Sequence, residues 1–269
     1  MARPALDFGF STCPNDTFAF HALVHGLVPG PTVVPFMDDV EALNARAELG
    51  HAEVTKISIA AYPRIRSRYA LLRAGGAAGY GVGPVVVARA ARAVGGRIAI
   101  PGERTTAALL LRLLGAFDTV PMRFDQIEAA VLGGDVDCGV LIHEGRFTYE
   151  AKGLTLVADL GSVWEERMQC PLPLAAIAIR RDLVTSTAAA IDAALRASVE
   201  YAFAHPEASH SSVAAHAQEM SPDVVRRHID LYVNRYTVEL DERAVDVMLN
   251  WSRTAGADHS PKDGLPIFA

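Results

Sequence analysis

The strongest constraint on the fold is an alternation of short β-like runs with helical patterns at the start of the chain. Leu6 to Phe10 and Thr32 to Phe36 read as strands, while Asp16 to Val24 and Val40 to Leu49 carry helical spacing. This is βαβα grammar and predicts an α/β fold. Gly26 and Gly50 fall just past the two helical patterns, where a left-handed cap residue is favoured.

The grammar continues with strands at about Val54 to Ile57 and Tyr69 to Leu72. Gly75, Gly76, Gly79, Gly81 and Gly83, closed by Pro84, then form the best candidate for a hinge. After the strongly β run Val85 to Ala88 a second α/β unit begins. It reads as strands at Arg97 to Ile100 and Met122 to Phe124, with helices at Thr105 to Phe117 and Gln126 to Leu132. Cys138 to Ile142 is continuously apolar yet bounded by Asp137 and His143, the pattern of a buried central strand. Pro171 and Pro173 flank a break before the β-like Ala175 to Ile179, and from about Ser186 the pattern is helical. There Ile191, Leu195, Val199 and Phe203 recur at helical spacing.

The expected shape is two α/β lobes, residues 1–86 with 175–269 and residues 87–174, joined by crossing segments near 84–95 and 171–180. The C-terminal helices return to cover the first lobe. Ligands of such sheets sit beyond the carboxyl ends of the strands, in the crevice.

Composition narrows the function. Of 269 residues 51% are apolar, enough for a sizeable core. The 31 acidic and 25 basic residues leave a net charge of −6 with no Lys/Arg run, so nucleic acid is not an expected partner. Apolar stretches such as Ala107 to Leu111 stop far short of the roughly 20 residues that span a bilayer, and no membrane association is expected. Met1 to Phe10 lacks the pattern of a secretion signal, which predicts a cytoplasmic protein. Cys13, Cys138 and Cys170 are read as free thiols, Cys138 as a small buried hydrophobe.

Four strand ends carry compact polar groups: Ser11 to Asp16, Lys56 to Ser58, Thr105 with Thr106, and His143 to Arg146. Ser58 and Thr105 are helix caps on the simplest reading. Thr105 and Thr106 also open a helix whose unpaired N–H groups attract a carboxylate, and Lys56 either adds charge there or is a solvated lysine. Asn15 either caps a turn or presents its amide to the cleft. His143 is the sharpest feature, because an apolar strand delivers an imidazole at its end. It reads either as a general acid or base or as a hydrogen-bonded structural histidine. His205, His210 and His216 do not repeat one helical face and are read as surface residues. Asp38 and Asp39 are read as a helix cap.

As an ordered set these segments resemble a known family. Ser11-Thr12-Cys13-Pro14-Asn15-Asp16-Thr17-Phe18, Thr55-Lys56-Ile57-Ser58, Gly81-Val82-Gly83-Pro84, Thr105-Thr106, Ile142-His143-Glu144-Gly145-Arg146-Phe147-Thr148-Tyr149 and Pro171-Leu172-Pro173-Leu174 are similar to segments of the 1,4-dihydroxy-6-naphthoate synthases, enzymes of the futalosine route to menaquinone. The resemblance runs through about Leu183 and departs at Ala175-Ala176, where a glycine is expected.

The resemblance implies a two-lobed fold of the periplasmic-binding-protein type (type II), with a mixed sheet in each lobe and the ligand cleft between them. It implies a carbon–carbon lyase that converts cyclic dehypoxanthinylfutalosine, a small-molecule carboxylate, into 1,4-dihydroxy-6-naphthoate without metal or organic cofactor. His143 is then the proton acceptor, and Lys56, Ile57, Ser58, Thr105 and Thr106 match substrate-contacting segments, with Asn15 nearby. The alternatives are chorismate dehydratase of the same pathway and a non-catalytic solute-binding protein. The sequence leaves the oligomeric state open.

Overall fold

The structure, a computed structural model, describes residues 5–183, 185–217, 221–256 and 265–269. Residues 1–4 of the expected leaderless N-terminus lie outside the described residues.

The first unit runs β1 (Leu6–Phe10), α1 (Pro14–Ala19), α2 (His21–Val24), β2 (Val33–Met37), α3 (Val40–Leu49), β3 (Val54–Ser58), α4 (Tyr62–Ile65), β4 (Tyr69–Leu71) and β5 (Ala77–Gly79). The second holds β6 (Val85–Ala88), β7 (Arg97–Ile100), α5 (Thr106–Leu111), β8 (Asp118–Pro121), α6 (Ile127–Gly133), β9 (Cys138–Leu141), α7 (Gly145–Thr148), β10 (Thr155–Asp159) and α8 (Leu160–Met168). The chain then returns through β11 (Leu172–Arg180) to α9 (Thr185–Ala204), α10 (His210–His216), α11 (Pro222–Tyr232), α12 (Arg235–Val238) and α13 (Glu242–Thr254).

Two mixed sheets result. In one the order is β2-β1-β3-β11-β4 with β5 also on β11; in the other it is β10-β6-β9-β7-β8. β1 pairs in parallel with β2 and β3, and the returning β11 closes the first sheet antiparallel to β3, β4 and β5. In the second sheet β7 is parallel to β8 and β9, while β6 is antiparallel to β9 and β10.

The period-two alternation of the central strands separates the cores. In β6, Val86 and Ala88 join the large core between the elements, whereas Val85 and Val87 pack on the opposite side with Ile127 and Val131 of α6. In β11, Ala176 and Ala178 face the large core and Ile177 and Ile179 face α9. There Ile191, Leu195 and Val199 are wholly buried, each contributing about 1.5–3 kcal/mol of apolar transfer.

Phe203 departs from this stripe and is 48% exposed. Successive steps of four residues drift about 40° around a helix, so the fourth member stands roughly 120° from the first. Ala202 takes the buried position instead.

Three further elements differ from the sequence reading. The first helix begins at Pro14 and is broken at Phe20, whose backbone (φ −100°, ψ 1°) leaves the helical region between α1 and α2. The helix expected to reach Phe117 ends at Leu111, because the following turns tighten to Leu113 N–H→Leu110 O and Leu114 N–H→Leu111 O before Gly115 at φ 139°. The strand expected at Met122 to Phe124 lies instead at Asp118–Pro121, an edge strand paired with β7 and too exposed to carry an apolar signal. Phe124–Gln126 is a 3₁₀ turn.

No helix among the described residues is long and apolar enough to cross a membrane.

Candidate active site

A cleft of about 690 Å³, part of it open to solvent, is lined from both sheets and from α11. Its walls include Ser11, Asn15, Lys56, Ser58, Thr105, Thr106, Ala107, His143, Leu174, Ala175, His228 and Tyr232. The carboxyl ends of β1, β3 and β9 converge there, as the crevice rule requires.

The deepest part is a polar cluster around Asp16, which is 1% exposed. One carboxylate oxygen accepts from the Ser11 N–H (3.1 Å) and hydroxyl (2.7 Å). The other accepts from Asn15 Nδ2 at 2.8 Å and forms a buried salt bridge with Lys56 Nζ. Lys56 is thus neither at a strand tip nor solvated: it sits within β3, 6% exposed, and its charge is matched by an element forty residues earlier in the chain. A buried ammonium without such a partner costs several kcal/mol, which explains why the two residues occur together.

One proton of Asn15 Nδ2 goes to Asp16, and its Oδ1 lies 2.9 Å from Nε2 of His228, so the second Nδ2 proton is the part of the amide without an acceptor among the described residues of the cleft it lines. Ser58 accepts from Asn44 Nδ2 (3.1 Å), and its N–H donates to Asn44 Oδ1 (2.8 Å). Its own hydroxyl proton has no acceptor among the described residues.

Thr105 is the N-cap of α5: its hydroxyl accepts from Ala108 N–H (3.1 Å) and donates to Gly102 O (2.8 Å). Thr106 donates to Leu174 O at 2.7 Å and accepts from Ala60 N–H at 3.3 Å, which ties α5 to β11. Both hydroxyls are therefore engaged, and the groups left over are the first-turn N–H donors of Thr106 and Ala107. Ala175, where a glycine was expected, lines the cleft and pairs with Ser58 across the β3–β11 ladder. Ile57 does not reach the cleft; it is 0% exposed and packs in the large core.

His143 follows β9 with φ 55°, the left-handed region that a non-glycine residue rarely occupies. That turn swings the imidazole into the cleft, against the Phe124 ring (4.9 Å between centroids). Burial pushes its pKa below the ordinary value, opposed in part by Glu144 and Asp16, so the ring is neutral at neutral pH. The Cys13 Sγ lies 3.2 Å from its Nδ1. Cys13 is the N-cap of α1, yet its side chain caps nothing and turns to the histidine instead. Burial, with Glu144 and Asp16, raises its thiol far above the usual range, so it acts as a neutral S–H.

Beyond the imidazole, Arg146 secures the loop with one bond to Gly83 O (2.6 Å) and another to Asp159 Oδ2 (2.7 Å). Gly83 itself is packed against the Gly161 backbone, where a Cβ would stand 2.3 Å away. Asp39 caps α3 through Glu41 and Ala42 N–H, as read from the sequence. His21 and His25 pair with Ser212 outside the cleft.

The family model for menaquinone biosynthesis matches residues 6–255, nearly the whole chain. The chain belongs to the menaquinone biosynthesis family. Two relatives bear out the motif resemblance. A 1,4-dihydroxy-6-naphthoate synthase of Thermus thermophilus is 50% identical over 98% of this chain and 99% of its own. One of Streptomyces coelicolor is 46% identical over 90% and 89%.

Among solved structures, a protein of Archaeoglobus fulgidus matches with a TM-score of 0.90 and 36% identity, over 94% of this chain and 98% of its own. A zinc-bound ligand-binding component of an ABC-type importer from Staphylococcus aureus matches at 0.73 with 12% identity, over 96% and 94% of the two chains. The alkanesulfonate-binding protein of Xanthomonas axonopodis matches at 0.70 with 16% identity, over 97% and 96%. These last two establish the fold alone: this menaquinone biosynthesis protein has the two-lobed periplasmic-binding-protein architecture that the motifs implied.

The sequence reading of this family member missed His228, Tyr232 and Asn44; Ser11 was named only as part of the strand-end group Ser11 to Asp16. His228 carried a signal: it stands three and four residues after Val225 and Val224 and four before Tyr232, on the apolar side of a helix whose opposite side carries Asp223, Arg226, Arg227 and Asp230.

Proposed function

We propose that the protein is a cytoplasmic 1,4-dihydroxy-6-naphthoate synthase, a lyase that takes cyclic dehypoxanthinylfutalosine to 1,4-dihydroxy-6-naphthoate, with His143 as general base. The observation that carries the reading is the His143 imidazole, held in the cleft by a left-handed turn and kept neutral by burial. The synthase names of two relatives matched over most of their length support it.

On this reading the carboxylate of the substrate lies at the start of α5, against the N–H groups of Thr106 and Ala107. Ser58 donates its free hydroxyl proton. The neutral His143 removes a proton from the sugar-derived part of the substrate. The released electron pair breaks the bond to the departing fragment, and the ring system gains aromaticity as it leaves. Lys56 contributes no free charge to the substrate, because Asp16 neutralises it; its role is to hold the Ser11–Asp16 turn beneath the site. A bound substrate displaces water from the cleft, which strengthens each of these contacts.

The test is incubation of purified protein with cyclic dehypoxanthinylfutalosine and mass spectrometry for 1,4-dihydroxy-6-naphthoate. Product formation is expected; its absence with folded protein overturns the reading, and chorismate is then the ligand to try.

A further inference from the structure

We infer that Nδ1 of His228 is a substrate-binding acceptor, taking a hydrogen bond from a hydroxyl group of the ligand beside His143. The inference deepens the proposed function and rests on it for the identity of the hydroxyl-bearing ligand.

Four observations lead there. His228 is 0% exposed, yet it lines the cleft and its Nδ1 has no partner among the described residues. A buried polar atom left unpaired is costly, and when it faces a cavity the missing partner is the molecule that fills the cavity.

The hydrogen-bond chain behind the ring also fixes its tautomer. The Asp16 carboxylate already accepts from Lys56, so the Asn15 atom 2.8 Å from it is the amide nitrogen, donating. The Asn15 atom facing His228 is then the carbonyl oxygen, and Nε2 of His228, 2.9 Å away, carries the proton. In a neutral imidazole Nδ1 is consequently a bare acceptor. Burial, reinforced by His143 and Lys56, holds the ring neutral.

The third observation is position. The His228 and His143 rings lie 6.3 Å apart between centroids and are inclined by only 28°. A carbon whose hydroxyl is held by His228 therefore lies within reach of His143, so His228 selects which C–H is presented to the base. Last, no described residue donates to Nδ1, and the rings of Tyr232 (4.7 Å between centroids) and Phe147 (6.2 Å) flank the imidazole.

Because the Asn15 carbonyl oxygen that accepts from Nε2 is too weak a base to take that proton, His228 has no relay behind it and serves as an orienting acceptor.

Two substitutions separate this role from a structural one. His228→Gln keeps an amide donor at the reach of Nε2, preserving the Asn15 contact, but places no acceptor where Nδ1 stood. His228→Asn places an oxygen near the Nδ1 position but is too short to reach Asn15.

With cyclic dehypoxanthinylfutalosine as substrate, the inference expects His228→Gln to lower kcat/KM about 10- to 100-fold, the loss of one buried hydrogen bond, with His228→Asn recovering most of it. The reverse order, or wild-type kinetics in both, overturns it by assigning His228 to Asn15 alone.

If both are equally impaired, ¹⁵N NMR of histidine-labelled His143→Ala protein decides. A shift of the His228 Nδ1 signal toward lower frequency on adding substrate supports the inference; an unchanged signal means that a resident water satisfies Nδ1 and overturns it. A wild-type control without product marks failure of the proposed reaction rather than of this role.

Discussion

Cys13 Sγ and His143 Nδ1 meet at 3.2 Å across the cleft, joining residues 130 positions apart that follow the central strands of the two sheets. The contact pairs a neutral thiol with a neutral imidazole, so the thiol steadies the ring and is no nucleophile. Cys13→Ala is expected to reduce kcat less than about 10-fold, the loss of one weak bond. Loss of all activity, or rapid alkylation of Cys13 by iodoacetamide at neutral pH, would contradict this.

The titration of His143 sets the acid limb of activity. Its folded pKa is depressed, so the neutral, base-competent form persists as pH falls past the ordinary value of 6.5. The expected kcat/KM profile is flat through that value and declines only below it. The same sign governs stability. His143 and His228 take up protons more readily unfolded than folded, so stability is present above the unfolded pKa and is lost as pH falls below it. Each group then costs about 1.4 kcal/mol per pH unit until its folded pKa is reached. A Tm that stays constant from pH 7 to 5 would count against burial of both rings.

The Lys56–Asp16 bridge is the contact most sensitive to single truncation. Lys56→Met or Asp16→Leu alone leaves one buried charge without its partner and is expected to cost about 3–5 kcal/mol in urea unfolding. The double replacement restores neutrality and is expected to cost less than the sum of the two. Simple additivity would mean that the two charges are uncoupled.

This pair also illustrates where the sequence was readable. The alternating strands and the caps were legible because their signals are local: Val40–Leu49 with Asp39 before it and Gly50 after it is a helix in the sequence and in the structure. So was His143, since Cys138 to Ile142 announces a buried strand that ends on it. The polar pairing inside the cleft was not, although Asn15, Lys56, Ser58, Thr105 and Thr106 were named from the sequence and do line it. Lys56 looks like a solvated lysine until Asp16 is brought to it, and His228 joins Asn15 across 213 residues. Such partners are set by the sheet order, which depends on β11 returning between β3 and β4. The edge strand Asp118–Pro121 was misplaced for a related reason, because its ladder with β7 and not its apolarity makes it a strand.

The role of His143 is tested most directly by single-turnover kinetics of wild type, His143→Ala and His143→Gln with cyclic dehypoxanthinylfutalosine, alongside equilibrium binding of the same compound. The expected result is binding within several-fold of wild type and a chemical step slowed by at least about 10²–10⁴, the usual contribution of a positioned general base. Turnover near the wild-type rate in either variant would contradict His143 as the proton acceptor.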